Sequence, residues 1–233
     1  MVRGLLAGDP PLACLTVAIH CARTGALQDA RDFVDRALAR AQTARGVPAL
    51  IALVAGFVRF VARDYQGSLD AFELALTDPR AATRAYRELM AVAGSLGWDQ
   101  DVRTLLERAI EAEPNSPRWH AQAVRFHERG RNFEAASKYA KAALELAPTS
   151  AAMWMQLAKL SAKQGRIEDV EHAIAQAIEH SDDEAQALAR QEAALIALDA
   201  GLWDVARTQL RWSTEHAPGP EAWVWLGELA AWE

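Results

Sequence analysis

Apolar residues recur along this chain at intervals of three and four, in blocks of about a dozen residues separated by short polar turns. That spacing is one face of an α-helix. Across residues 153–180 the face reads Trp154, Leu157, Ala158 and Ser161, then a turn at Gly165, then Ile167, Val170, Ile174 and Ala177. The same offsets return in 80–114 as Tyr86, Leu89, Met90, Ala93, Gly97, Val102, Leu106 and Ala109, closing on Pro114. They return again in 11–42 as Cys14, Val17, Ala18, Cys21, Gly25, Leu27, Ala30, Val34 and Ala37. Two amphipathic helices joined near a glycine thus form a unit of about 34 residues that repeats. Runs of β-branched residues bounded by tight turns are absent, so no sheet is predicted.

These offsets resemble the tetratricopeptide-repeat (TPR) family, whose unit is W-x2-L-G-x2-Y followed by small, large apolar and small residues and a proline. In that pattern small residues at the eighth, twentieth and twenty-seventh places let two helices approach closely, and large ones between them fill the space between hairpins. The resemblance implies an all-α fold, an α-α superhelix (TPR solenoid) of six hairpins plus a C-terminal helix, as a single domain over 1–233. The repeats fall at 11–44, 49–80, 81–116, 117–149, 150–180 and 181–219, and the terminal helix at 220–233 carries Trp223, Leu226 and Gly227 in the W-x-x-L-G places. Repeat four has Gly130 at a turn one residue longer than the norm, and repeat six has a first helix about two residues longer. Helix starts agree: Asp78-Pro79 and Ser116-Pro117 each offer an N-cap before a proline, and Ser181 through Glu184 spells a capping box.

Composition narrows the partners. At 233 residues, 51% hydrophobic and 24% charged, the chain is a folded protein. A formal charge of −6 argues against nucleic acid, whose binders carry a basic surplus. The apolar stretch 47–62, VPALIALVAGFVRFVA, is shorter than the roughly 20 residues of a membrane span and contains Arg59, so it predicts a buried helix and no membrane insertion. Residues 1–11 lack a signal-peptide pattern, and with two cysteines in all this points to the cytoplasm. Cys14 and Cys21, two helical turns apart, stand roughly 10 Å from each other, too far for a disulfide, and read as small buried hydrophobes.

The resemblance also implies where a ligand sits: on the inner, concave face lined by the first helices, at places two, five, six, nine, twelve and thirteen. In repeat two these are Leu50, Leu53, Val54, Phe57, Phe60 and Val61, all apolar where water should favour polar residues. Repeat three supplies Arg84, Arg87 and Glu88; repeat four, His120, Val124, His127 and Glu128; repeat five, Met155, Gln156, Lys159 and Lys163. Repeat six supplies Leu188, Gln191, Glu192, Leu195, Leu198 and Asp199. The expectation is a protein-interaction scaffold whose peptide or protein ligand brings an apolar anchor and carboxylates, held in part by the guanidinium forks of Arg84 and Arg87. Alternatively residues 1–10 or a second subunit fill the repeat-two stripe, and the cations form an ordinary solvated face. The Lys-and-Asn pair by which chaperone-clamp TPR domains grip a terminal carboxylate occurs in no repeat.

Catalytic spellings are missing as well. His120 and His127 are not a His-x-x-x-His pair, and there is no Gly-x-Ser-x-Gly, phosphate loop or Cys-x-x-Cys. No catalytic residue, metal ligand or cofactor is therefore expected. Trp225 and Trp232 project from the inner side of the last helix and are candidate interface residues. A partner, a second subunit, further polypeptide or repeat six itself could cover them. Self-assembly into a homo-oligomer, or service as the TPR portion of an envelope-associated assembly factor, are the alternative readings.

Overall fold

A computed structural model describes residues 11–43, 48–216 and 220–231 of the chain. Among them the backbone forms thirteen α-helices and no strand. By its contacts the chain divides into two compact units, Met1–Ala112 and Glu113–Glu233. The first unit holds the hairpins α1 (Pro11–Arg23) with α2 (Leu27–Thr43), α3 (Ala49–Val61) with α4 (Tyr65–Ala75), and α5 (Pro79–Ser95) with α6 (Asp99–Ala112). The second holds α7 (Pro117–Arg129) with α8 (Phe133–Leu146), α9 (Ala151–Lys163) with α10 (Ile167–Glu179), and α11 (Asp183–Asp199) with α12 (Trp203–His216). A last helix, α13 (Pro220–Ala231), packs on α12. First helices also meet one another, α1 on α3 and α3 on α5 in the first unit, α9 on α11 in the second.

The alternation of sizes does the packing. Every second helix buries a triplet at i, i+4 and i+7, for example Ala30, Val34 and Ala37 in α2, Ser68, Phe72 and Ala75 in α4, and Val170, Ile174 and Ala177 in α10. Facing it, the eighth place of each first helix is buried too: Ala18, Gly56, Met90, Ala123, Ala158 and Ala194. At the crossing of α3 on α4, Ser68 Oγ donates to the Gly56 carbonyl at 2.8 Å.

The apolar 47–62 stretch is accounted for by α3, a 13-residue helix with seven buried residues. Its Arg59 is not stranded: it donates to the Gly67 carbonyl at 2.9 Å and pairs with Asp35 and, at 3.7 Å, with Asp64. Among the described residues no helix is long and apolar enough to cross a membrane.

Turns and caps differ from expectation in three places. Within each hairpin one turn residue takes the left-handed conformation: Gly25, Gly97, Gly165 and Gly201, but Arg63 (φ 58°) and Arg131 (φ 56°) in the other two. In repeat four the extra turn residue moves this position past the predicted Gly130, which caps α7 at φ −75°. Ser116 stands at the N-cap of α7 without a side-chain cap bond, and Pro117 sets the start instead. The Ser181 capping box does not form, because Ser181 Oγ turns back to the Ala177 carbonyl at 2.6 Å and Asp182 is the N-cap of α11. Asp78 caps α5 as expected, accepting from the Arg80 N–H at 3.0 Å. The lengthening expected for repeat six occurs in repeat three as well, since α5 and α11 have 17 residues each against 13 in α9.

A non-glycine residue in the left-handed region carries about 1–2 kcal/mol of steric cost. Part of any relief is returned because glycine has more freedom to lose on folding. Arg131→Gly is therefore expected to stabilise the protein by about 0.5–1 kcal/mol, and Arg131→Val to destabilise it. Urea denaturation followed by circular dichroism ranks the three; a glycine variant less stable than the wild type contradicts the turn geometry.

Candidate functional site

Three parallel stripes, at places two, six, nine and thirteen, make the first-helix surface of the first unit. On α1 the stripe reads Leu12, Thr16, Ile19 and Arg23; on α3, Leu50, Val54, Phe57 and Val61; on α5, Arg84, Glu88, Ala91 and Ser95. Spacing of four, three and four residues keeps each set on one helix face. Leu50 (59% exposed) and Val61 (55%) stand open at either end of the central stripe, and Val54 and Phe57 are half-buried between them. The Phe57 ring meets Phe72 edge-on, centroids 5.3 Å apart, and Phe60 leans on Tyr65 at 5.8 Å. Over Phe57 lies the Arg84 guanidinium, 5.6 Å from the ring centroid. Arg87 is exposed and pairs with Glu88 on its own helix at 2.8 Å.

Of the predicted residues in this unit, the structure brings Leu50, Val54, Phe57, Phe60, Arg84 and Arg87 onto or beside one surface. Leu53, at place five, is buried instead. The alternative cover for this stripe, residues 1–10, lies outside the described residues.

In the second unit the corresponding stripes are tied to one another. Gln156 Nε2 donates to Glu128 at 2.6 Å, and Lys159 pairs with Glu192. The cation expected to greet a ligand is thus already matched by a neighbouring first helix. Lys163 is exposed, its ammonium 5.8 Å from the Phe133 ring centroid. Met155 is buried. His120 and His127 both lean on Tyr139 of α8, His127 stacked nearly parallel at 5.3 Å and His120 tilted at 6.2 Å. Beyond them a cleft of about 370 Å³ opens between α11 and α13, its walls formed by Leu188, Leu195 and Trp225 with Gln191, Glu192 and Glu221. Trp232 lies outside the described residues.

Residues 117–160, covering α7, α8 and most of α9, match the family model described as tetratricopeptide repeat. The chain folds as a TPR protein. Its fold is similar to the C-terminal part of a TPR repeat-containing protein from Cytophaga hutchinsonii, with a TM-score of 0.68 over 93% of this chain and 87% of that one, at 11% identity. YrrB, a TPR protein with an unusual peptide-binding site, aligns over 77% of this chain and 92% of its own (TM-score 0.56, 16% identity). MamA aligns over 72% and 91% (TM-score 0.56, 17% identity). No curated protein matches the chain. At these identities the likeness is one of fold.

Within the TPR register the remaining reactive groups have structural surroundings. Cys14 is buried and accepts from Arg40 at 3.4 Å; both cysteines are free thiols. Burial, and after it the Asp29 carboxylate, push the Cys21 thiol above its ordinary value, which disfavours a thiolate nucleophile. Among the described residues no three metal-ligating side chains gather. A second cleft, of about 350 Å³, lies on the second-helix side between Leu144, Trp154, Leu157 and His172. Sequence reasoning did not single it out, although Trp154 at place four, whose indole N–H donates to the Pro148 carbonyl at 2.7 Å, was visible in the register.

Proposed function

We propose that the chain is a protein-interaction scaffold rather than an enzyme, and that the first-helix surface of its first unit takes a peptide carrying an apolar side chain next to a carboxylate. The observation behind this reading is the α3 stripe: four apolar residues, two of them more than half exposed, edged by the Arg84 guanidinium. A surface helix ordinarily turns polar residues to water. Seating a leucine or phenylalanine of the ligand on Leu50, Phe57 and Val61 is worth about 1.5–3 kcal/mol. A carboxylate on Arg84 adds a charge-assisted hydrogen bond of about 1.5–3 kcal/mol. Arg87 is within the same helix and can join, because an exposed pair such as Arg87–Glu88 holds it by only about 0–1 kcal/mol. That YrrB, of similar fold, has a peptide-binding site agrees with this use of the scaffold.

Fluorescence anisotropy with labelled peptides tests it. Peptides pairing Leu or Phe with Glu are expected to bind more tightly than the same peptides with Gln in place of Glu. Arg84→Glu is expected to weaken the acidic peptides about tenfold, or about 1.4 kcal/mol, and to leave the Gln peptides nearly unchanged; Val61→Asp should weaken both. Equal binding of acidic and neutral peptides, or an unaltered affinity in Arg84→Glu, refutes the assignment.

A further inference from the structure

Trp119 and Trp154 stand at the same place of consecutive repeats, and only the first is enclosed. Trp119 is buried, whereas Trp154 is half-buried and forms one wall of the cleft of about 350 Å³ on the second-helix side. Its ring is held in place. The indole N–H donates to the Pro148 carbonyl at 2.7 Å, and the His172 ring meets it edge-on, centroids 5.6 Å apart. Leu144 and Leu157, both buried, add apolar surface to the cleft. Charge lines it as well: Glu145 of α8 and Asp169 of α10 stand on separate helices, against the one ammonium of Lys141. Asp169 is half-buried, and among the described residues neither carboxylate has a hydrogen-bond or ion-pair partner. Helices α11 and α12 follow α10 in the chain, so the cleft belongs to the interior of the run of hairpins.

We infer that this cleft receives an arginine side chain of a partner protein. Its volume is near the low end for ligand sites, which suits one long side chain. The apolar stem of an arginine can lie along Leu144 and Leu157 while the guanidinium rests against the Trp154 ring. The planar fork presents N–H donors in several fixed directions, so one guanidinium can serve carboxylates on two helices at once. A lysine ammonium is a more strongly hydrated point charge and gives up more on leaving water. The half-buried Asp169 carboxylate, already partly withdrawn from water, gains the donor it lacks. A carboxylate ligand, the kind proposed for the α3 surface, is disfavoured because Glu145 and Asp169 outweigh Lys141. The two surfaces thus select opposite charges.

Heteronuclear NMR titration of the full chain with acetyl-Gly-Gly-Arg-Gly-Gly-amide tests this. The probe has neither the apolar side chain nor the carboxylate that the α3 surface calls for. Shifts are expected at the Trp154 indole N–H and along α8 and α10. Peptides with citrulline (the same shape without the charge) or lysine in place of arginine should each bind about threefold more weakly or worse. An Asp169→Asn, Glu145→Gln double variant, folded by circular dichroism, should lose about fivefold in affinity, and Lys141→Gln should gain about twofold. Sedimentation should show a monomer. Equal affinity for the arginine peptide and either of the other two, or for wild type and double variant, overturns the inference. So does a wild-type dimer that the double variant dissolves, which would put a second copy of this chain in the cleft. Arg84→Glu should leave this binding unchanged, so the two assignments fail separately.

Discussion

Trp119→Ala is expected to destabilise the second unit by about 4 kcal/mol, near the top of the range for a single substitution. Trp119 is 2% exposed and, among the described residues, the largest fully buried side chain. Its indole N–H donates to Glu113 Oε2 at 3.1 Å, tying the segment before α7 to the helix. Truncation removes the contacts of a whole indole and leaves a cavity that rigid helices fill only partly, which costs about 3–5 kcal/mol for a tryptophan. Trp119→Phe keeps much of the packing and gives up the hydrogen bond, so a loss of about 1–2 kcal/mol is expected. The control is Trp223→Ala. It has the same place in the repeat, yet at 59% exposure it should change stability by no more than about 0.5 kcal/mol. Urea denaturation, with hydrogen exchange to localise the loss to 113–233, measures all three. Equal effects at Trp119 and Trp223 would mean that the repeat position, not burial, governs the tryptophan.

That contrast marks what the sequence discloses and what it leaves hidden. The register of all thirteen helices was legible because small and large residues alternate for a reason internal to each hairpin. Ala158 with Val170, and Ala194 with Ala206, must share one close-packed core whatever surrounds them. Surface roles depend on neighbours that the register does not name. Lys159 reads as a free groove cation until Glu192 of the next first helix is seen beside it. Leu53 and Met155 sit at place five, which Arg87 shows can be exposed, yet both are buried, Met155 within an apolar cluster that draws on neighbouring hairpins. Caps fail for a similar reason. The Ser181 hydroxyl donates to the Ala177 carbonyl of the preceding helix, a local alternative to capping, and Asp182 is the N-cap of α11. The apolar character of the α3 stripe can be read without its neighbours because it is contained within one helix, although Leu53 drops out of the exposed surface.

Gly56→Leu is expected to destabilise the first unit by about 3 kcal/mol, and the same substitution at Gly227 to stabilise the free protein slightly. Both glycines occupy the eighth place, so local propensity favours leucine at each by nearly 1 kcal/mol. What separates them is the space outside the helix. At Gly56 even a Cβ would stand 2.5–2.6 Å from three atoms of the Phe72 ring. That ring is fully buried and is met edge-on by Phe57, so it cannot swing clear without opening the α3–α4 crossing and the Ser68–Gly56 hydrogen bond. Overpacking of this kind costs about 1–3 kcal/mol, and a leucine in a helix crossing lies at the upper end. At Gly227 nothing lies within 4 Å, so the propensity gain stands alone. Denaturant midpoints of the two variants should therefore move in opposite directions. A Gly56→Leu protein as stable as the wild type would show that α3 and α4 are not in close contact at this crossing; a destabilised Gly227→Leu would show that α13 is already covered in the free chain.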